Sequence, residues 1–144
     1  MDSVMNYELD KEVFYLLNQG IKGLEDWQGA ASGIAEYVAS WGMERFWAMS
    51  RSCVLKGGEI SDNPESLDGR RYYAWSVARE VLCKIVGADL RIKSEMTTAE
   101  FQERFRNLDF QQQTLLVDLL IEVADAIQFW TMRLKDVKKN NLPV

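Results

Sequence analysis

Apolar residues recur along this chain at spacings of three and four, not two, and only two prolines, Pro64 and Pro143, interrupt it. A period near 3.6 gathers such residues on one stripe of a helix. Proline, the residue that most sharply breaks helices, is almost absent. The pattern predicts an all-α protein. Hydrophobic residues make up 47% of the 144 positions, so a packed core is expected, and the length suits one domain spanning 1–144. A domain of this size buries about two-thirds of its unfolded surface.

Five to six helices are expected. Leu9, Val13, Leu16, Leu17 and Ile21 mark a first, ending near Gly20–Gly23. Ala31, Ile34, Ala35 and Val38 mark a second that stops around Trp41-Gly42. A third carries Met43, Phe46, Trp47, Ser50 and Val54. The stretch 56–69 is rich in Gly, Pro, Asn and Asp and reads as a polar loop. A fourth helix with Tyr72, Trp75, Ala78, Leu82 and Ile85 is expected to end at Gly87. Thr97 with Glu100 three residues on has the form of a capping box, opening a short helix through Phe101 and Phe105. Asp109 with Gln112 repeats that logic and opens the last and longest helix. Its stripe, from Leu116 through Leu120, Val123, Ile127 and Trp130 to Val137, is that of a central helix packed on several others. The other helices are expected to pack around it, with 138–144 as a basic tail.

Two cysteines, Cys53 and Cys83, are too few for a secreted disulfide framework, and each falls on an apolar helix side. The acidic first residues lack the layout of a signal peptide, and the apolar runs are far shorter than the roughly 20 residues of a membrane span. A cytoplasmic protein without membrane contact is expected. The net charge of −5 is unevenly spread. Residues 1–44 carry eight acids against two lysines, whereas 131–144 carry Arg133, Lys135, Lys138 and Lys139 against Asp136 alone. Such a chain is a poor non-specific nucleic-acid binder as a whole, but a basic end or face remains available for one.

There is no histidine, and so no His-dependent triad and no imidazole metal ligand. No phosphate loop, Cys-x-x-Cys or dinucleotide fingerprint occurs. Glu122 and Asp125, with Asp118 a turn earlier, share one helix face, and such carboxylates can hold Mg²⁺. The segment is similar to the second metal motif of the all-α nucleotide pyrophosphohydrolases. The matching upstream helix offers Glu36 and Glu44, eight residues apart, instead of the Glu-x-x-Glu that those enzymes use. Tryptophans interleave with Arg45, Arg51, Arg70, Arg71 and Arg79, an arrangement suited to base stacking. Trp47, Trp75 and Trp130 lie on apolar stripes and are expected in the core. Trp27 and Trp41 sit at helix edges and suit protein contacts.

Three stretches carry a more specific likeness. Ile34 to Arg51 resembles a helix, a Gly-hydrophobe turn and an Ala/Phe-rich helix ending in Ser plus a basic residue. Tyr72 to Gly87 looks like a middle helix of the same pattern, and Leu120 to Lys135 like its closing helix. Together, over residues 8–137, they resemble the small α-helical subunit of type III-B (Cmr) CRISPR–Cas effector complexes. The resemblance implies a subunit with no catalytic residues, no cofactor and no metal. Copies would stack head to tail beside the guide RNA–target RNA duplex, in contact with other effector subunits. Phosphate contacts would then come from Arg45, Arg51, Arg70, Arg71, Arg133, Lys135, Lys138 and Lys139. Two other readings stand beside it: a metal-dependent pyrophosphohydrolase using Glu122 and Asp125, and a helical adaptor that binds no nucleic acid.

Overall fold

The computed structural model describes residues 3–17, 27–51 and 67–143, and their side chains except at 3–6, 27–30, 67–73 and 138. Six helices and no strand occur among the described residues: α1 (Ser3–Leu17), α2 (Trp27–Trp41), α3 (Met43–Arg51), α4 (Leu67–Leu90), α5 (Thr98–Arg106) and α6 (Phe110–Lys139). The protein is an all-α bundle around its long last helix. Among the described residues, no helix is long and apolar enough to cross a membrane.

α6 is the centre because its apolar stripe is continuous. Leu116, Leu119, Leu120, Val123 and Ile127 are all at most 1% exposed, and α1, α2 and α4 pack against it. Each such side chain contributes roughly 1.5–3 kcal/mol by leaving water. The stripes read from the sequence supply the facing residues: Leu9, Val13 and Leu17 from α1, Ala31, Ile34 and Val38 from α2, and Trp75, Ala78 and Leu82 from α4. Trp75 packs edge-on to Tyr37 at 5.0 Å and tilted against Phe46 at 5.4 Å.

The break between α2 and α3 falls at Gly42, as the sequence suggested. Its φ of +87° is a conformation glycine adopts at little cost. Its N–H donates to the Val38 carbonyl at 2.8 Å, closing α2, and its own carbonyl accepts from Phe46 N–H at 3.2 Å, opening α3. A Cβ at this position would meet nothing within 4 Å. Glycine is needed here for its backbone angle, not for space.

Gly87 is the opposite case and a correction to the expected helix end. α4 runs on to Leu90. It stops at Arg91, whose φ is +58°, and Ile92 N–H reaches back to the Gly87 carbonyl at 2.9 Å, as in a Schellman cap. A Cβ on Gly87 would lie 2.5 Å from the Ile92 carbonyl oxygen. Gly87 makes room for the chain that folds back under the helix end. Two smaller corrections concern the flanks. Residues 67–69, expected in the polar loop, belong to α4, and Lys138 and Lys139, expected in a tail, belong to α6. α6 ends in a second cap of the same kind, with Asn141 at φ +54° and Leu142 N–H donating to the Val137 carbonyl. The remainder of the loop, the end of the first helix after Leu17, and Val54 lie outside the described residues.

Candidate nucleic-acid interface

The corner between α2 and α3 brings an exposed aromatic and an exposed cation together. Gly42 breaks the helix there, and Trp41 at the end of α2 has 55% of its surface exposed. One turn into α3, the Arg45 guanidinium carbon lies 4.6 Å from the centroid of the Trp41 ring. α5 closes the third side. Its capping box is complete: Glu100 N–H donates to the Thr97 hydroxyl at 3.1 Å, and Thr97 N–H donates to the Glu100 carboxylate at 3.0 Å. Thr97, first through its backbone N–H and then through its side chain, holds the Glu100 carboxyl below its ordinary range. Arg106, at the other end of α5, grips Glu44 with two bonds, of 2.8 and 3.2 Å. That fork ties α5 to α3 and raises the guanidinium pKa.

Between these elements lies a cleft of about 400 Å³, lined by Trp41, Arg45, Ala48, Thr98, Gln102 and Phe105 among others. Behind it runs a pile of rings. Trp47 stacks on Phe101 at 4.2 Å with an interplanar angle of 4°, and Phe101 on Phe105 at 5.5 Å and 19°. Trp47 and Phe101 are fully buried; Phe105 is half-buried and lines the cleft. Phe101 and Phe105 are four apart, so their stacking has a local signal in helical spacing. Nothing local signals that α5 meets Trp41 and Glu44, which lie more than fifty residues away.

Of the eight basic positions expected to meet phosphate, the five whose side chains are described do not form one surface. Arg45 is exposed at the corner. Arg51 is half-buried and turns elsewhere, with Nη1 3.5 Å from the Ser94 carbonyl oxygen. Arg133, Lys135 and Lys139 are exposed on the last turns of α6. Gln113 donates to the Phe105 carbonyl at 2.9 Å, and roughly 30 Å of helix separate Gln113 from Arg133. The two basic groups therefore lie far apart along the molecule. Arg133 is 3.5 Å from Asp136 and 5.7 Å from the exposed Phe129 ring. The side chains of Arg70, Arg71, Lys138 and Trp27 lie outside the described residues.

Two other side chains, Arg79 and Trp130, depart from expectation. Arg79 is not at the surface; it is 5% exposed and donates into the interior. Trp130 is half-buried, because its indole N–H takes the Asp10 carboxylate as acceptor at 3.1 Å and holds the ring at the α1–α6 seam, edge-on to Phe14. Asp125 is exposed and Glu122 half-buried, and neither is joined by an ion pair among the described residues. Among those residues no three Cys, Asp or Glu side chains come together as possible metal donors. Cys83 is a reduced thiol, its pKa pushed up to about 12 by burial; Cys53 lies outside the described residues. No family model, characterised protein or solved structure matches the chain.

Proposed function

We propose that this protein is a non-catalytic small subunit of an RNA-guided effector of the type III-B CRISPR kind, contacting RNA backbone and neighbouring subunits. The observation that carries the reading is the α2–α3 corner, where an exposed tryptophan is capped by an exposed arginine beside an open cleft. Aromatic faces interleaved with arginine suit single-stranded or unpaired nucleotides. The same residues fall within the stretch whose pattern resembles that family. Large apolar side chains exposed at separate places, among them Phe110 (81%) and Phe129 (53%), suit contacts to different neighbours. Heterologous contacts of that kind build open arrays of copies. Within such an assembly, other subunits would supply catalysis.

The test is charge reversal at Arg45, Arg70 and Arg71 in the assembled complex. Removing a basic side chain from a phosphate weakens binding for all sequences alike and flattens the salt dependence by about one unit of slope. The expected result is lower target-RNA affinity with an unchanged unfolding transition of the subunit. Unchanged affinity and slope would overturn the RNA-facing part of the proposal. Failure of the wild-type chain to join any such complex would overturn the rest.

A further inference from the structure

We infer that the cleft at the α2–α3–α5 corner is a nucleobase-binding site, which takes one unpaired base of an RNA strand and holds the adjoining phosphate. The inference rests on the RNA reading above and deepens it, because that reading names a corner that contacts RNA but neither the group bound there nor the walls that bind it. Two independent features point to a flat ligand. Trp41 stands exposed at one side of the cleft with the planar Arg45 guanidinium 4.6 Å from its centroid. On another side, Phe105 is the outermost ring of a nearly parallel pile that begins at buried Trp47. A base meeting Phe105 would add one more plane to a pile already held by packing, so little side-chain entropy is lost on that side of the cleft.

Charge and hydrogen bonding fit the same ligand. Glu44, the carboxylate at the cleft, is committed to Arg106 by two bonds. Arg45 has no carboxylate partner among the described residues, so its guanidinium remains available to a phosphate. Thr98 and Gln102 line the wall, and neither side chain makes a hydrogen bond among the described residues. A hydroxyl and a carboxamide offer both donors and acceptors, as base edges require.

The experiment uses the full chain with a short oligouridylate, an oligoadenylate and an abasic strand of equal length, at low salt. Binding is followed by tryptophan quenching and by the indole N–H resonances. Trp41→Ala should weaken binding of the base-bearing strands by about tenfold, the usual scale for one stacked base. Trp41→Phe, which keeps a ring, should retain most of the affinity. The abasic strand should bind wild type and Trp41→Ala equally poorly. Arg45→Gln should instead lower the salt slope by about one, whereas Trp41→Ala leaves the slope intact. Full affinity in Trp41→Ala, or equal binding of abasic and base-bearing strands, would overturn the base site even where the Arg45 effect upholds RNA contact. Loss of self-association in Trp41→Ala with RNA binding unchanged would reassign Trp41 to a protein contact. Failure of every strand to bind the isolated chain would also overturn the site.

Discussion

Arg79 donates to the Ser50 carbonyl at 2.7 Å, to the Ser50 hydroxyl at 3.1 Å and to Ser76 and Ser94 hydroxyls at 3.2 and 3.4 Å, with its guanidinium 5.8 Å from the Trp47 ring. A buried cation is tolerable when its donors are met in this way. The bonds join α3, α4 and the segment that follows α4. In the sequence, Arg79 is indistinguishable from its surface neighbours, because most of its acceptors are brought in from elsewhere in the chain. Thr131 shows the converse. It is fully buried on α6, and its hydroxyl has no hydrogen-bond partner among the described residues. A buried polar group left unpaired costs about 1–3 kcal/mol. Thr131→Val keeps the branched shape and removes the unmet group, so it should raise stability by about 1 kcal/mol. Thermal unfolding followed by circular dichroism checks this, and a lowered midpoint would show that the hydroxyl is in fact satisfied.

At the scale of elements, what is legible in the sequence is what is local. The Thr97–Glu100 box spans three residues, and the structure completes it. Asp109 and Gln112 exchange the same two bonds, at 2.8 and 3.1 Å, to start α6. The end of α4 cannot be read this way. It is set by Arg91 in a left-handed conformation that arginine rarely adopts, and by an Ile92 that is 2% exposed and holds the turn by its burial. The α5 cap also carries a pH dependence. The folded-state pKa of Glu100 lies below its ordinary value, first through the Thr97 backbone bond. A carboxyl of this kind contributes stability that is fully present above the unfolded pKa and lost as pH falls through the folded one. Protection factors of the first-turn amides of α5 should therefore be constant near neutrality and drop on acidification below the carboxylate range. Glu100→Gln, which can still close the box, should remove that drop. Hydrogen exchange against pH would refute the argument if both proteins lost protection in parallel.

In the molecule as a whole, the bundle follows from periodicity, because a stripe of buried residues writes itself into every turn of a helix. The corner site does not, because Trp41 and Arg45 meet Thr98, Gln102 and Phe105 only after the chain has folded, and the partners share no spacing. The same arrangement divides the protein energetically. α6 packs on α1, α2 and α4, whereas α5 packs chiefly on α3, through the Trp47–Phe101 stack and the Arg106–Glu44 fork. An element held mainly by one neighbour can open while the rest stays folded. α5 should accordingly show lower amide protection than the centre of α6. Leu120 tests the division. It is fully buried on α6, and Leu120→Ala should cost about 2–5 kcal/mol of global stability. The central α6 amides, which exchange only on global unfolding, should lose protection by that whole amount. The α5 amides should lose almost none, since Leu120 stays packed both before and after α5 opens. Native-state hydrogen exchange on the wild type and Leu120→Ala measures both quantities. An equal fall in the two helices would mean that α5 opens only with the whole bundle, and that the cleft it walls is as rigid as the core.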